Sequence, residues 1–315
     1  MEQRNIGRSG LRASLLGIGC NNFGPRLDVE ATRKVVFRAL DVGVTFFDTA
    51  DVYGFGSSES QLGEILGDRR KDVVLASKFG MAMDKEGKLS GASRGYIMSA
   101  VEASLKRLRT DWIDFYQLHQ PDPKTPIEET MRALDDLIAQ GKVRYIGCSN
   151  LPAPQVVEAN ETATARGYST FLACQEEYSL LVRDIERELL PAMKKLGLSL
   201  LPYRPIAGGF LTGKYKRNAP MPEGARLSSA SQKRFADRFL TDANWDRLER
   251  LEAFGKERGR SLLDIAFGWL ASKPFIPSVI AGASTPEQVD LNCKAVTCNL
   301  TADELTYIDS LFPAG

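Results

Sequence analysis

Short runs of β-branched and aromatic residues alternate with amphipathic stretches along the whole chain, and this alternation limits the fold more than any other feature. Runs at 14–19, 44–48, 73–77, 115–118, 143–148, 171–175, 198–202 and 278–281 are mostly apolar on both faces. That is the pattern of parallel strands covered by helices and packed inside. Between them, segments 30–40, 97–108, 128–139 and 262–271 carry apolar residues at helical spacing; Val35, Val36, Ala39 and Leu40 share one face. Parallel neighbours need a long crossover, which a helix supplies. Repeated eight times, the unit predicts an α/β fold, a closed (β/α)8 barrel of the TIM type. Residues 3–14 predict an N-terminal hairpin before the first strand. Segments 286–296 and 302–311 predict two extra C-terminal helices, the first capped by Thr285 with Pro286 in its first turn. No low-complexity linker or charge block interrupts the pattern, so residues 1–315 are read as one barrel domain.

Composition narrows function by exclusion. The chain is 43% hydrophobic and 26% charged, the balance of an ordinary globular enzyme. A formal net charge of +1 gives no electrostatic case for a nucleic-acid or membrane partner. No apolar run approaches the roughly 18 residues of a membrane span, and the polar first ten residues lack the apolar core of a signal peptide. The five cysteines are odd in number and form no Cys-x-x-Cys pair, which fits free thiols in a reducing cytoplasm. Cys148 and Cys174 read as buried thiols on adjacent strands. The chain has one histidine, His119, which removes multi-histidine metal sites; no metal is expected. Gly17-x-Gly19 has no third glycine, so the dinucleotide fingerprint of open sheets is absent, as are a nucleophile elbow and a Walker loop.

Barrel enzymes carry their chemistry at the C-terminal ends of the strands. Read in order, those ends present Asp48 with Tyr53 just beyond it, then Lys78, then His119. Each has a structural explanation when taken singly: a loop cap, a packed phenol, a solvated amine, a rim imidazole. Together they suit proton transfer to a carbonyl oxygen. A free phenol has a pKa near 10, and a neighbouring ammonium favours the phenolate and is expected to lower that value. Asp48 would hold the lysine, and His119 would orient the oxygen. The stretch 204–240, rich in Gly, Pro, Ser and Arg, leaves the seventh strand as a long excursion, and such loops are commonly lids or binding segments.

The quartet Asp48, Tyr53, Lys78 and His119 resembles the catalytic tetrad of the aldo-keto reductase superfamily. The resemblance extends over nearly the whole chain. It includes Arg4-Asn5-Ile6-Gly7 with Ser9-Gly10-Leu11, Tyr53-Gly54-x-Gly56-x-Ser58-Glu59-x-x-Leu62-Gly63, and Tyr116-Gln117-Leu118-His119. It continues with Ile146-Gly147-x-Ser149-Asn150 and Leu211-Thr212-Gly213-Lys214-Tyr215. It implies hydride transfer between NADPH, with NADH as the alternative, and a small carbonyl or alcohol substrate, Tyr53 giving the proton in reduction.

The resemblance also implies a cofactor site. Gly19 and Asp48 border it, Ser149, Asn150 and Gln175 would bind the carboxamide, and Tyr203 would stack on the nicotinamide. Backbone of Pro205, Ile206, Ala207 and Gly208 would line the pyrophosphate. Gly282, Ser284, Gln288 and Asn292 would take the adenosine half at a helix N-terminus suited to anions. The 282–285 turn lacks the basic residue many relatives place there, and Lys214 and Arg226 match loop positions that supply that charge instead. Leu291 stands where an acidic residue is common. Arg204 replaces a small or aromatic residue and is free to reach a phosphate or solvent. Phe23, Phe55 and Phe79 are expected to wall an open substrate pocket. Two other functions keep the same tetrad: a sugar or alcohol dehydrogenase working in the oxidising direction, and a nucleotide-sensing partner subunit like the β subunits of potassium channels.

Overall fold

The structure is a computed structural model, and it describes residues 1–229 and 232–313. β1 (Gln3–Asn5) and β2 (Arg12–Ser14) form an antiparallel hairpin. Eight strands follow: β3 (Leu16–Gly19), β4 (Phe46–Asp48), β5 (Val74–Phe79), β6 (Ile113–Leu118), β7 (Val143–Ser149), β8 (Ala173–Glu177), β9 (Ser199–Tyr203) and β10 (Val279–Ala281). They are hydrogen-bonded in the order β10-β3-β4-β5-β6-β7-β8-β9, every pair parallel. At the remaining seam the Leu200 N–H donates to the Phe275 carbonyl, just ahead of β10, at 2.8 Å. The sheet thus forms a nearly closed (β/α)8 barrel, as the alternation predicts.

The helices are α1 (Val29–Asp41), α2 (Ser57–Leu66), α3 (Arg94–Leu108), α4 (Ile127–Ala139), α5 (Ala153–Arg166), α6 (Leu189–Leu196), α7 (Lys233–Phe239), α8 (Asp242–Glu257), α9 (Leu262–Ala271), α10 (Pro286–Val296) and α11 (Ala302–Leu311). Their starts follow local chemistry. Asp28, Ser93, Thr241 and Thr285 accept a hydrogen bond from a first-turn N–H. Ser261 with Asp264 and Thr301 with Glu304 complete capping boxes. Among the described residues no helix is long and apolar enough to cross a membrane.

Side-chain alternation along the strands sets up the interior. Phe46, Ala76, Phe115, Ala173, Leu201 and Ile280 form an apolar cluster that also contains Ile6, Leu11 and Ala13 of the hairpin segment, which plugs that end of the barrel. Two residues further along the same strands come Asp48, Lys78, Gln117, Gln175 and Tyr203. A period of 2 therefore converts an apolar floor into a polar ceiling. Glycine makes room for the large floor residues. A Cβ at Gly147 would lie 2.3 Å from Phe115 Cζ, and one at Gly17 would lie 2.6 Å from Phe46 Cδ1.

The alternation also corrects one reading. Lys78 faces the mouth, so Phe79 faces the helices, where it is fully buried against Tyr116 with ring centroids 4.8 Å apart. Phe23 is fully buried in the same cluster. Neither can wall a solvent-open pocket. Phe55, 70% exposed at the rim, is the one of the three left to do so.

Strand ends differ by about two residues in places. Ser14 belongs to β2 and not to the first barrel strand, because its hydroxyl accepts from the Thr45 and Phe46 N–H groups and donates to the Leu16 carbonyl. The excursion after β9 is more ordered than a bare loop. It carries 3-10 turns at Ala207–Thr212 and Arg226–Ser228 and then α7. Arg238 of α7 reaches Glu177 at 2.8 Å and Arg204 lies over the Phe235 ring at 3.5 Å, so the helix is pinned to the barrel rim.

Candidate active site

Asp48, Lys78 and His119 from three successive strand ends, with Tyr53 from the turn after β4, meet at the barrel mouth. Lys78 Nζ donates to Asp48 Oδ2 at 2.7 Å, to the Thr49 carbonyl at 2.8 Å and to Tyr53 Oη at 3.5 Å. Tyr53 reaches this point through a tight turn in which its N–H donates to the Ala50 carbonyl and the Ser58 N–H donates to its own carbonyl. The His119 ring stands edge-on to Tyr53, centroids 5.8 Å apart at 79°. Its buried Nδ1 has no protein partner among the described residues. The result is a line from the buried Asp48 and Lys78 to the partly buried Tyr53, with an imidazole beside its outer end.

Burial and charge set the protonation states. Burial alone would depress the Lys78 ammonium, but the Asp48 carboxylate and the phenol outweigh it, and its pKa rises above the ordinary lysine value. Burial raises the Tyr53 phenol above its usual 10.0, with Lys78 pulling the other way. This corrects the expected sign. One ammonium does not offset the loss of water around the partly buried phenol, so Tyr53 stays neutral and keeps its proton. His119 is drawn from 6.5 down to about 3, first by burial and then by the Lys78 charge, so the ring is neutral at physiological pH.

The residues expected to hold a cofactor lie around this centre. Ser149 Oγ donates to the Gln175 carbonyl at 2.7 Å, and Asn150, in the left-handed region at φ 61°, donates to the His119 carbonyl at 3.0 Å. Tyr203 spans from β9 to Asn150, its hydroxyl donating to Oδ1 at 2.8 Å. Gln175 lies deeper than a ligand contact alone requires, since its amide donates to Asp48 Oδ1 at 2.8 Å and to Gln117 Oε1 at 3.3 Å. Pro205 and Ile206 lead into Ala207 (φ 47°), Gly208 (φ 68°) and Gly209 (φ 94°), a run of left-handed backbone on the rim. Arg204 is neither free nor in open solvent: it lies 3.8 Å from Glu177 and stacks on Phe235.

Across the mouth, Gly282 and Ser284 precede α10. The Ser284 N–H donates to Gln288 Oε1 at 2.8 Å, Thr285 caps the helix, and Asn292 is buried on it. Gly19 ends β3 beside Ile280, which a Cβ there would meet at 3.1 Å. Lys214 packs on Gly209, and Tyr215 ties the cradle together, donating to the Gly208 carbonyl and accepting from the Leu227 N–H, both at 3.1 Å.

Three structural partners escape the sequence reading. Gln117 donates to Asp48 Oδ1 at 3.2 Å, so that carboxylate oxygen is bracketed by two buried amides. The signal was available: Gln117 stands two residues before His119 in the inward register. Asn22 reaches Ser284 at 3.4 Å and links the β3 loop to the turn before α10. Arg26 approaches the excursion, donating to the Gly224 carbonyl at 3.3 Å. Among the described residues no group of three or more His, Cys, Asp or Glu side chains is arranged to hold a metal.

Comparison with known proteins matches residues 15–312 to the aldo/keto reductase family. A probable voltage-gated potassium channel subunit beta of Oryza sativa subsp. japonica is 38% identical, covering 94% of this chain and 91% of its own. An uncharacterized oxidoreductase of Bacillus subtilis is 36% identical over 99% of this chain and 96% of its own. The L-glyceraldehyde 3-phosphate reductase of Escherichia coli O157:H7 is 33% identical over 98% and 92%.

Proposed function

The chain belongs to the aldo/keto reductase family, and from that premise we propose that it is an NADPH-dependent reductase of aldehydes and ketones in which Tyr53 gives the proton. The observation that carries this reading is the Asp48–Lys78–Tyr53 line, buried at its inner end, with a neutral imidazole at its open end. A bound nicotinamide dinucleotide supplies the hydride. Everything else falls to the protein's own groups. Tyr53, holding its proton, donates it to the carbonyl oxygen as that atom gains charge. Lys78, kept charged and in place by Asp48, stabilises the phenolate left behind. His119, neutral, offers one ring N–H to the same oxygen. Phe55 gives the mouth an apolar wall. In the oxidising direction the same residue, as the phenolate that Lys78 stabilises, takes the proton from the alcohol.

The polar ceiling fits the dinucleotide. Tyr203 offers a ring for the nicotinamide, Ser149 and Asn150 offer amide and hydroxyl groups for its carboxamide, and the Gln175 oxygen points to the same use. Gly19 permits close approach. The backbone of residues 205–208, left-handed from Ala207 onward, suits a pyrophosphate, and Gly282, Ser284, Gln288 and Asn292 at the start of α10 suit the adenosine half. Lys214 and Arg226 form no ion pair with a carboxylate among the described residues, which favours a 2′-phosphate and hence NADPH over NADH.

The likeness to potassium-channel β subunits favours a second reading, a nucleotide-binding partner subunit with the same tetrad. Steady-state reduction of 4-nitrobenzaldehyde with NADPH separates the two. Turnover on the order of 1 s⁻¹ or faster, within the usual enzyme range, is expected. Folded protein that binds NADPH yet turns over no aldehyde would contradict the reductase reading.

A further inference from the structure

Three consecutive residues after Tyr53 lie in the left-handed region: Gly54 at φ 59°, Phe55 at φ 51° and Gly56 at φ 91°. Glycine adopts that backbone freely, but Phe55 does not, and such strain persists only where surrounding contacts impose it. The turn runs directly from Tyr53 into α2, so whatever imposes it also decides where the phenol stands. Those contacts come from behind the mouth. Glu59, in the first turn of α2, is fully buried. Its carboxylate accepts from the Ser77 hydroxyl at 2.5 Å and from Arg107 Nε of α3 at 2.7 Å. Ser77 precedes Lys78 on β5, so one carboxylate oxygen is tied to the strand that carries the ammonium. Arg107 also lies against the turn itself: a Cβ at Gly56 would come 2.6 Å from Arg107 Cδ and 2.9 Å from its Nε. Its Nη2 donates to Ser104 Oγ at 3.2 Å, which steadies the guanidinium on its own helix. Further along α2, a Cβ at Gly63 would lie 2.4 Å from the Arg107 carbonyl oxygen, so the two helices meet backbone to backbone at the residue that forms the ion pair. Of the three Lys78 contacts, the one to Tyr53 Oη is the longest at 3.5 Å, and it is the one this turn sets.

We propose that Arg107 is a positioning residue for Tyr53: paired with Glu59 beneath the 54–56 turn, it holds the phenol at its place beside Lys78. The proposal rests on the reading of Tyr53 as the proton donor. Arg107 acts from α3 through the turn and not on the substrate. Its energetic lever is the burial of Glu59, which becomes an uncompensated charge once the guanidinium is gone. Its catalytic lever is distance, because a shift of about 1 Å in a reacting group can cost about 10²-fold in rate.

The test measures kcat for 4-nitrobenzaldehyde, the NADPH dissociation constant and the melting temperature on one preparation of each protein. The proteins are wild type, Arg107→Met with Glu59→Gln, Arg107→Lys, Tyr53→Phe, and each Arg107 variant combined with Tyr53→Phe. Removing both charges of the pair leaves no carboxylate stranded in the interior, and Gln at position 59 still accepts from Ser77. In that variant kcat is expected to fall about 10- to 100-fold with the NADPH constant within a few-fold of wild type. Arg107→Lys, which keeps the charge but loses the fork, should fall less, and it carries the same comparison if the paired variant does not fold. Because Arg107 acts through the phenol, neither change should slow Tyr53→Phe any further. Wild-type kcat in folded Arg107 variants that merely melt earlier overturns the proposal and leaves the pair as packing between α2 and α3. An equal further fall on top of Tyr53→Phe overturns it as well, since the damage is then not routed through Tyr53. A fully active Tyr53→Phe contradicts the proton-donor reading and takes this proposal with it. A slow Tyr53→Phe beside fully active Arg107 variants removes this proposal alone.

Discussion

Lys78 and Asp48 are almost entirely removed from water, and their 2.7 Å contact leaves either one an uncompensated buried charge when the other is lost. Lys78→Met should therefore destabilise the fold by about 3–5 kcal/mol, and adding Asp48→Leu should restore a good part of that without restoring activity. Urea denaturation of the single and double variants measures the coupling; strictly additive losses would contradict the buried pair. His119 makes a different prediction. Its folded pKa of about 3 lies below the unfolded value of 6.5, so the unfolded chain binds a proton that the folded one does not. The resulting stability is complete above about pH 6.5 and is lost progressively as pH falls toward 3. Reduction should accordingly show no inflection near pH 6.5, the titration point of an ordinary imidazole. His119→Ala should lower kcat roughly 10²- to 10³-fold while the NADPH dissociation constant changes little. A variant that melts earlier but keeps its turnover would make His119 a packing residue. At this scale the grouping of Asp48, Tyr53, Lys78 and His119 was legible because four chemically distinct side chains fell at or just beyond the ends of three successive strands. The sign of the Tyr53 shift was not, because desolvation depends on what covers the phenol, and the sequence does not show that.

The elements differ in how much of them could be read in advance. Strands and helices with strong apolar periodicity, such as α9 and β7, stand within a residue or so of where the pattern puts them. Those whose ends depend on side-chain hydrogen bonds, such as the Ser14 boundary of β2, move. The excursion after β9 was legible only as an excursion. Its α7 owes its place to long-range contacts, Arg238 with Glu177 and Arg204 with Phe235, which no local pattern encodes. These contacts predict a function for α7 as a clasp. The ion pair is partly exposed and worth about 0.2–1 kcal/mol, and the cation–π contact adds about 0.5–1 kcal/mol. Arg238→Ala with Phe235→Ala should accordingly speed NADPH release several-fold, up to about 10-fold, in stopped-flow fluorescence, with kcat/KM for the aldehyde at saturating nucleotide little changed. An unchanged release rate would mean that α7 rests on the rim without holding the excursion. Thr301→Ala, which removes the capping box of α11 far from the mouth, serves as a contrast: it should cost about 0.5–2 kcal/mol and leave release unaffected.

Across the whole molecule the hairpin plug, the apolar floor and the polar ceiling are one arrangement set by strand period and register. Gly147 shows how tightly it is drawn. Adding a methyl group there, against Phe115 and the Ala173 carbonyl, should cost about 1–3 kcal/mol or more by overpacking, and Phe115→Leu should relieve part of it in the double variant. The same register explains why the barrel was readable as a whole while Phe79 was misassigned: alternation decides which way a side chain faces, and a residue adjacent to Lys78 on β5 faces away from the mouth; Phe23 is buried from the loop between β3 and α1, where no strand period applies. The central claim is that this arrangement delivers a proton from Tyr53. Tyr53→Phe removes one oxygen and keeps the ring, so fold and nucleotide binding should survive. The decisive measurement is kcat for aldehyde reduction alongside the NADPH dissociation constant on one preparation of that variant. The account predicts a fall in kcat of about 10²- to 10⁴-fold or more with the dissociation constant within a few-fold of wild type. Near wild-type kcat in folded, nucleotide-binding Tyr53→Phe would contradict it.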